Sequence, residues 1–183
     1  MANLFNPSFV FLLSLFLAHQ ATATSHHHHD LKSLHFSLYQ QETINKTGYI
    51  VVNGVAGPPV GQTTTPFGTV FVFRDHLTLR ANASSKVVGI SEGTSITSAL
   101  DGLQSISVAK ITLKMKGMVG SLSILGSVHN TRASKLPVVG GTEDFMFVQG
   151  YIVSSPVDLQ GIDVTYKVEF HLYWPPYASF AKF

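Results

Sequence analysis

Two carboxylates stand side by side at Glu143 and Asp144, just past Gly140 and Gly141, in the run LPVVGGTEDFMFVQGY at 136–151. The rest of the run is mostly apolar, as in a buried strand. The glycines let the chain turn without strain. From Asp144 onward a two-residue period puts Asp144, Met146, Val148 and Gly150 on one face, and Phe145, Phe147, Gln149 and Tyr151 on the other. Facing a cavity, a desolvated Asp144 carboxyl would have a raised pKa suited to proton transfer. Facing water, the same pair is a solvated strand start. The period leaves both readings open, with Asp144 as the catalytic candidate and Met146 beside it.

Other chemistry is sparse. The chain has no cysteine and no G-x-S-x-G elbow. Four adjacent histidines occupy 26–29 of the polar stretch TSHHHHD, and His35, His76, His129 and His171 lack metal-ligand spacing. No metal and no cofactor are expected. Gln40 can orient a ligand oxygen as a neutral donor and acceptor. It shares a strand face with Phe36 and Leu38, so all three border any interior together. Tyr166 and Phe170 share a face near the end of the chain and either line a cavity or pack a core. Arg74 and Asp75 read as an ion pair at a strand end, and Asp101–Gly102 as a hairpin turn.

The elements that position these residues are strands. In VTYKVEFHLYW (164–174), Val164, Tyr166, Val168, Phe170 and Leu172 alternate with Thr165, Lys167, Glu169, His171 and Tyr173. Seven further strands are expected in LHFSLYQQE, YIVVNGVA, FGTVFVF, SKVVGISEGTSITS, SISVAKITLKMK, SLSIL and GTEDFMFVQGYIVSS. Turn residues in GPPVG, NASS, LDG, KGMVG and LQG punctuate them. No segment of helical length has a 3.6-residue apolar period. Eight antiparallel strands with hairpin-like links predict an up-and-down β-barrel, which leaves no exposed edge and can hold one small ligand. Several strands are apolar on both faces, so the outside needs cover from another subunit, and a homo-oligomer is expected.

Composition sets the frame. The 183 residues suffice for one domain; 45% are hydrophobic and 12% charged, the profile of a folded chain. Net charge is +2 without a basic stripe, which argues against nucleic acid. The ten-residue apolar run Phe9–Ala18, followed by ATA at 21–23, has the form of a secretory signal, so 1–23 is read as a signal peptide. Residues 24–33 are then a disordered leader and 34–183 the barrel. No later segment reaches transmembrane length. The sequons NKT and NAS mark Asn45 and Asn82 as glycosylation acceptors on a soluble extracellular protein.

PFGTVFVFRDHLT, SSKVVGISEGTSITSALDG, GSLSILG and LPVVGGTEDFMFVQGY, in that order and spacing, resemble the plant dirigent proteins, from about Phe36 to Tyr173. The resemblance implies an eight-stranded antiparallel barrel, usually trimeric, secreted to the apoplast. It implies stereochemical steering of phenoxy-radical coupling, as in lignan formation from coniferyl alcohol, with a separate laccase or peroxidase supplying the radicals. Such steering asks for orientation in a dry aromatic cavity rather than for a nucleophile. Some relatives instead close a ring through a quinone methide.

The chain departs from that pattern at charged positions. Where lignan-coupling members carry aromatic-x-Met-His-Asp, this chain has Phe36, Ser37, Leu38, Tyr39 and Gln40. Ser134–Lys135 stands where Arg-Asp or Arg-Glu is common, and Phe145 to Gly150 replaces Phe-Arg-x-Ala-Arg-Gly. Substrate binding is assigned to Phe36, Leu38, Gln40, Met146, Tyr166 and Phe170. The functional expectations are a dirigent-type guide, a cyclase or dehydratase acting on a quinone-methide-type intermediate, or a non-catalytic binder of phenolics or glycans. The cyclase needs a lumenal acid–base pair, and the replaced acids weigh against it.

Overall fold

Alternating side chains make a sheet with one inward and one outward face, and here the sheet curls until its first and last strands meet. The computed structural model describes residues 32–159 and 161–180. Nine strands run β1 (Lys32–Thr43), β2 (Gly48–Val52), β3 (Val70–Thr78), β4 (Val87–Thr97), β5 (Gln104–Met115), β6 (Met118–His129), β7 (Ser134–Gly141), β8 (Gln149–Asp158) and β9 (Asp163–Trp174). Neighbours from β3 to β9 pair antiparallel in chain order, β9 pairs with β1, and β1 pairs back onto β3. The result is a closed eight-stranded barrel.

β1 and β2 together make one stave. Both run along β3, through Gln40↔Leu77 and Gln41↔His76, then Gly48↔Phe73 and Ile50↔Phe71. Thr43 to Thr47 bulge out between them. The Thr43 carbonyl accepts the N–H groups of Lys46 at 3.0 Å and Thr47 at 2.9 Å, and Asn45 takes the left-handed conformation at φ 62°. Asn tolerates that region better than most residues. Past the bulge, Gly48 makes room for the Phe71 ring, whose tip lies 2.3 Å from where a Cβ would stand.

The expected strand count of eight is reached by a different division of the chain. YIVVNGVA is not a separate stave: its first residues continue β1, and residues 53–69 form a loop across one end of the barrel. GTEDFMFVQGYIVSS is not one strand. β7 starts earlier, at Ser134, and the chain then leaves the sheet in a 3₁₀ turn, Glu143–Phe145, before β8 starts at Gln149. Left-handed Glu143 (φ 53°) and Phe147 (φ 61°) break the pleat on either side of the buried Phe145. β1 opens at Lys32, two residues before the expected boundary. The signal-like segment and the four histidines lie outside the described residues.

The end of the barrel that holds Phe145 is solid. Leu38, Leu77, Leu113, Leu122, Phe145, Phe170, Leu172 and Trp174 fill it. Phe36 stacks on Phe170 with ring centroids 4.5 Å apart, and Phe145 on Trp174 at 6.3 Å. Toward the other end the inward residues shrink and turn polar. Along β5 they read Leu113, Ile111, Ala109, Ser107, Ser105, all buried. That gradient opens a cavity in the half of the barrel under the 53–69 loop.

Candidate functional site

The cavity holds about 350 Å³, the lower end of the range for small-molecule sites. Phe71, Phe73, Ala109, Ile111, Ile124, Leu136, Ile152 and Val168 form its apolar belt. Asn45, Val60, Gly61 and Gln62, all exposed, ring the mouth. The 53–69 loop is strapped over that mouth from both sides. Gln62 Nε2 donates to the Gly161 carbonyl at 2.9 Å, Asn130 Nδ2 donates to the Thr63 carbonyl at 2.7 Å, and the Thr65 and Thr97 hydroxyls share a hydrogen bond at 2.5 Å.

An acidic group sits where β1, β3 and β9 adjoin. Gln40 and Tyr166 face each other across β1 and β9, and both line the cavity. Gln40 Nε2 donates to Asp75 Oδ2 at 2.6 Å. Glu42, one pleat further along β1, also lines the cavity and is coupled by charge to Asp75. Asp75 is fully buried, and its other oxygen, Oδ1, has no hydrogen-bond partner among the described residues. The neighbouring Thr47 hydroxyl accepts the Thr43 N–H at 2.8 Å and lies 3.4 Å from the Thr43 carbonyl. That carbonyl contact is long, so the hydroxyl proton can also swing toward the carboxylate.

Burial dominates the electrostatics. It pushes the Glu42 carboxyl up to about 8, helped by the charge of Asp75. It pushes Asp75 up to about 6, against the pull of Thr47 and Gln40. Tyr166 is driven well above the usual phenol range, by burial first and then by the two acids. At neutral pH the trio therefore offers a largely protonated Glu42, a mostly ionised Asp75 and a neutral phenol that keeps its proton. An acid and a base in one small cavity, with pKa values set apart by environment, are equipped for proton transfer.

Only some of the expected site residues meet here. Gln40 and Tyr166 line the cavity. Leu38 and Phe170 are buried in the solid end with Phe36 packed against them, and Met146 is exposed. Asp144 is exposed on the 3₁₀ turn, where Oδ2 accepts the Val119 N–H at 2.7 Å. A carboxylate spent on a turn amide has no part in the cavity's chemistry. Asp144→Asn is expected to leave product distribution unchanged and to cost under about 1 kcal/mol; chiral chromatography and thermal melts check it. The cavity draws its aromatic lining from other residues than most of those expected. Its rings are Phe71, Phe73 and Tyr166, whereas Phe36, Phe145, Phe170 and Trp174 plug the far end.

Two functional residues escape the sequence reading. The expected Arg74–Asp75 pair does not form. Arg74 points outward to Glu92 at 3.4 Å, Glu92 also binds Lys110 at 2.8 Å, and Asp75 points inward. The alternation Phe71, Phe73, Asp75, Leu77 carried that signal, as Phe36, Leu38, Gln40, Glu42 did for Glu42. Asn45 lies at the cavity mouth and Asn82 in the β3–β4 loop; both are exposed, and Asn82 Oδ1 accepts from the Ser84 N–H and hydroxyl at 2.8 Å each. His35 and His171 meet on the outer face with Nδ1 atoms 3.1 Å apart. Among the described residues no three His, Cys, Asp or Glu side chains cluster to hold a metal.

A barrel with a one-sided cavity and buried acids defines a class. The family model for dirigent-like proteins matches residues 33–174, and the chain belongs to that family. Pterocarpan synthase 1 of Glycyrrhiza echinata is 31% identical over 124 residues, covering 64% of this chain and 63% of that protein. Dirigent protein 1 of Arabidopsis thaliana is 24% identical over 144 residues, 78% of either chain. A solved pterocarpan synthase dirigent protein matches with a TM-score of 0.68 at 25% identity, over 78% of this chain and 96% of that one.

Proposed function

We propose that this dirigent-type protein directs ring closure of a phenolic quinone-methide-type intermediate by proton transfer within its cavity. The observation that carries this reading is the Glu42–Asp75 pair at the cavity wall, electrostatically coupled, with Asp75 fully buried and hydrogen-bonded by Gln40. Protonated Glu42 gives its proton to the quinone-methide carbonyl oxygen, which becomes a phenol. The methide carbon, now electron-poor, is attacked by a hydroxyl of the same molecule, and a C–O bond forms. The hydroxyl proton passes to a carboxylate of the pair. The step is an isomerisation and needs no oxidant. Tyr166 and Gln40 hold the oxygen that changes charge, and the apolar belt fixes which face of the methide carbon is attacked. The kinship with pterocarpan synthases supports this over the radical-guiding reading.

A second reading keeps the same cavity as a guide for phenoxy-radical coupling, with a laccase or peroxidase supplying the radicals. It needs orientation only and leaves the acids without a task. The two part in one experiment. Enantioselective ring closure of a preformed quinone methide, without oxidase, is expected. Selectivity seen only with laccase and coniferyl alcohol would replace the cyclase with the guide.

The outer face bears on assembly. Val72, Thr94, Val108 and Leu125 lie in one cross-strand row, with Ile96 and Ile106 in the adjoining one. All but Thr94 are exposed and apolar. The reading is that further copies of the chain, three by family habit, cover this patch. Val108→Glu is expected to convert the assembly to monomer, read by light scattering; an unchanged mass would place the contact elsewhere. Secretion to the apoplast and glycans on Asn45 and Asn82 complete the proposal, the Asn45 glycan standing at the cavity mouth.

A further inference from the structure

The acids occupy one side of the cavity, and a second polar surface lies well away from them. On β4 the inward residues are Ser91, Gly93, Ser95 and Thr97; on β5 they are Ser105, Ser107 and Ala109. Register pairs Ser95 with Ser107 and Thr97 with Ser105, so four hydroxyls adjoin on one wall. All of them line the cavity, and Ser105 and Ser107 are 7% and 6% exposed. Ser95 and Ser105 have no protein hydrogen-bond partner among the described residues, and Ser107 has only a 3.4 Å contact to the Thr94 carbonyl. Asp75 pairs with Ser91, four residues from Ser95 along β4. Four residues of strand span roughly 13 Å.

We infer that the cavity takes a phenol whose far end carries several hydroxyl groups, such as a sugar or other polyol, with Ser95, Ser105 and Ser107 binding that end. The inference rests on the phenol-binding reading above and names the substrate class within it. A hydroxyl wall is costly to cover with an apolar group, because each buried donor then loses its partner. A site built to hydrogen-bond therefore discriminates strongly against a ligand lacking the matching groups. The wall is also local. The same face of β5 is aliphatic from Ala109 to Leu113, and on β4 Gly93 separates Ser95 and Thr97 from Ser91, the one hydroxyl of that face beside Asp75.

Two probes with one phenol test this: the glucose ester and the methyl ester of ferulic acid, titrated calorimetrically into the intact protein and into a Ser95→Ala/Ser107→Ala variant. The glucose ester is expected to bind at least about tenfold tighter than the methyl ester. The variant is expected to lose about that advantage while binding the methyl ester within about twofold of wild type, the size of two neutral hydrogen bonds. A melting temperature equal to wild type certifies the variant's fold. Equal affinity of the two esters, or equal weakening of both in the variant, overturns the hydroxyl-wall inference and leaves the phenol reading standing. Absence of binding by both esters overturns the phenol reading, and the inference with it.

Discussion

Glu42→Gln is expected to slow ring closure of a quinone methide by about 10²–10⁴-fold, the usual worth of a positioned acid, while making the folded protein more stable at pH 8. The amide keeps the shape of the side chain but gives up no proton. The stability effect follows from the sign of the pKa shift. Burial raises Glu42 from 4.5 to about 8 and Asp75 from 3.8 to about 6. Below about pH 3 both are neutral in folded and unfolded chains, and neither group then destabilises the fold. As pH rises, the unfolded chain ionises first, so each group destabilises the fold until its own folded pKa is passed. Wild-type stability is therefore expected to fall between about pH 4 and pH 8, with a slope near 1.4 kcal/mol per pH unit for each group in its window. The variant should keep only the Asp75 part of that decline. Urea titrations at pH 5 and pH 8, with single-turnover rates alongside, read both effects. Unchanged turnover would remove Glu42 from the chemistry, and a pH-independent gain in stability would deny its titration.

Phe170→Ala is expected to cost about 3–5 kcal/mol, the range for emptying a large buried aromatic site. Phe170 is fully buried and stacked face to face on Phe36. Its strand, β9, pairs with both β1 and β8, so the void would open where the first and last strands close the barrel. The neighbours cannot fill it without shifting that seam. The urea midpoint should drop sharply. A loss under about 1 kcal/mol would mean that the solid end repacks freely and does not hold the barrel shut.

The barrel was legible because alternation is a strong signal wherever one face is buried. β9 reads correctly over its whole length, and Gln40 and Tyr166 follow from the same period. The signal failed at the corners. The strand-like alternation extends through Glu143 to Phe147, but two left-handed residues take that stretch out of the sheet around the buried Phe145. Asp75 was hidden by its neighbour: Arg74-Asp75 has the form of a surface ion pair, and only closure of β1 onto β3 gives the aspartate a buried partner in Gln40. Phenylalanines serve a plug as readily as a pocket, and composition does not say at which end of a barrel they sit.

The plugged end makes the chamber a cul-de-sac. Whatever enters beneath the loop held by Gln62 and Asn130 must leave by the same door. Product and incoming substrate then exclude each other sterically, so product should inhibit competitively, and turnover should respond to the latch between Gln62 and Gly161 even though neither residue touches the reacting atoms.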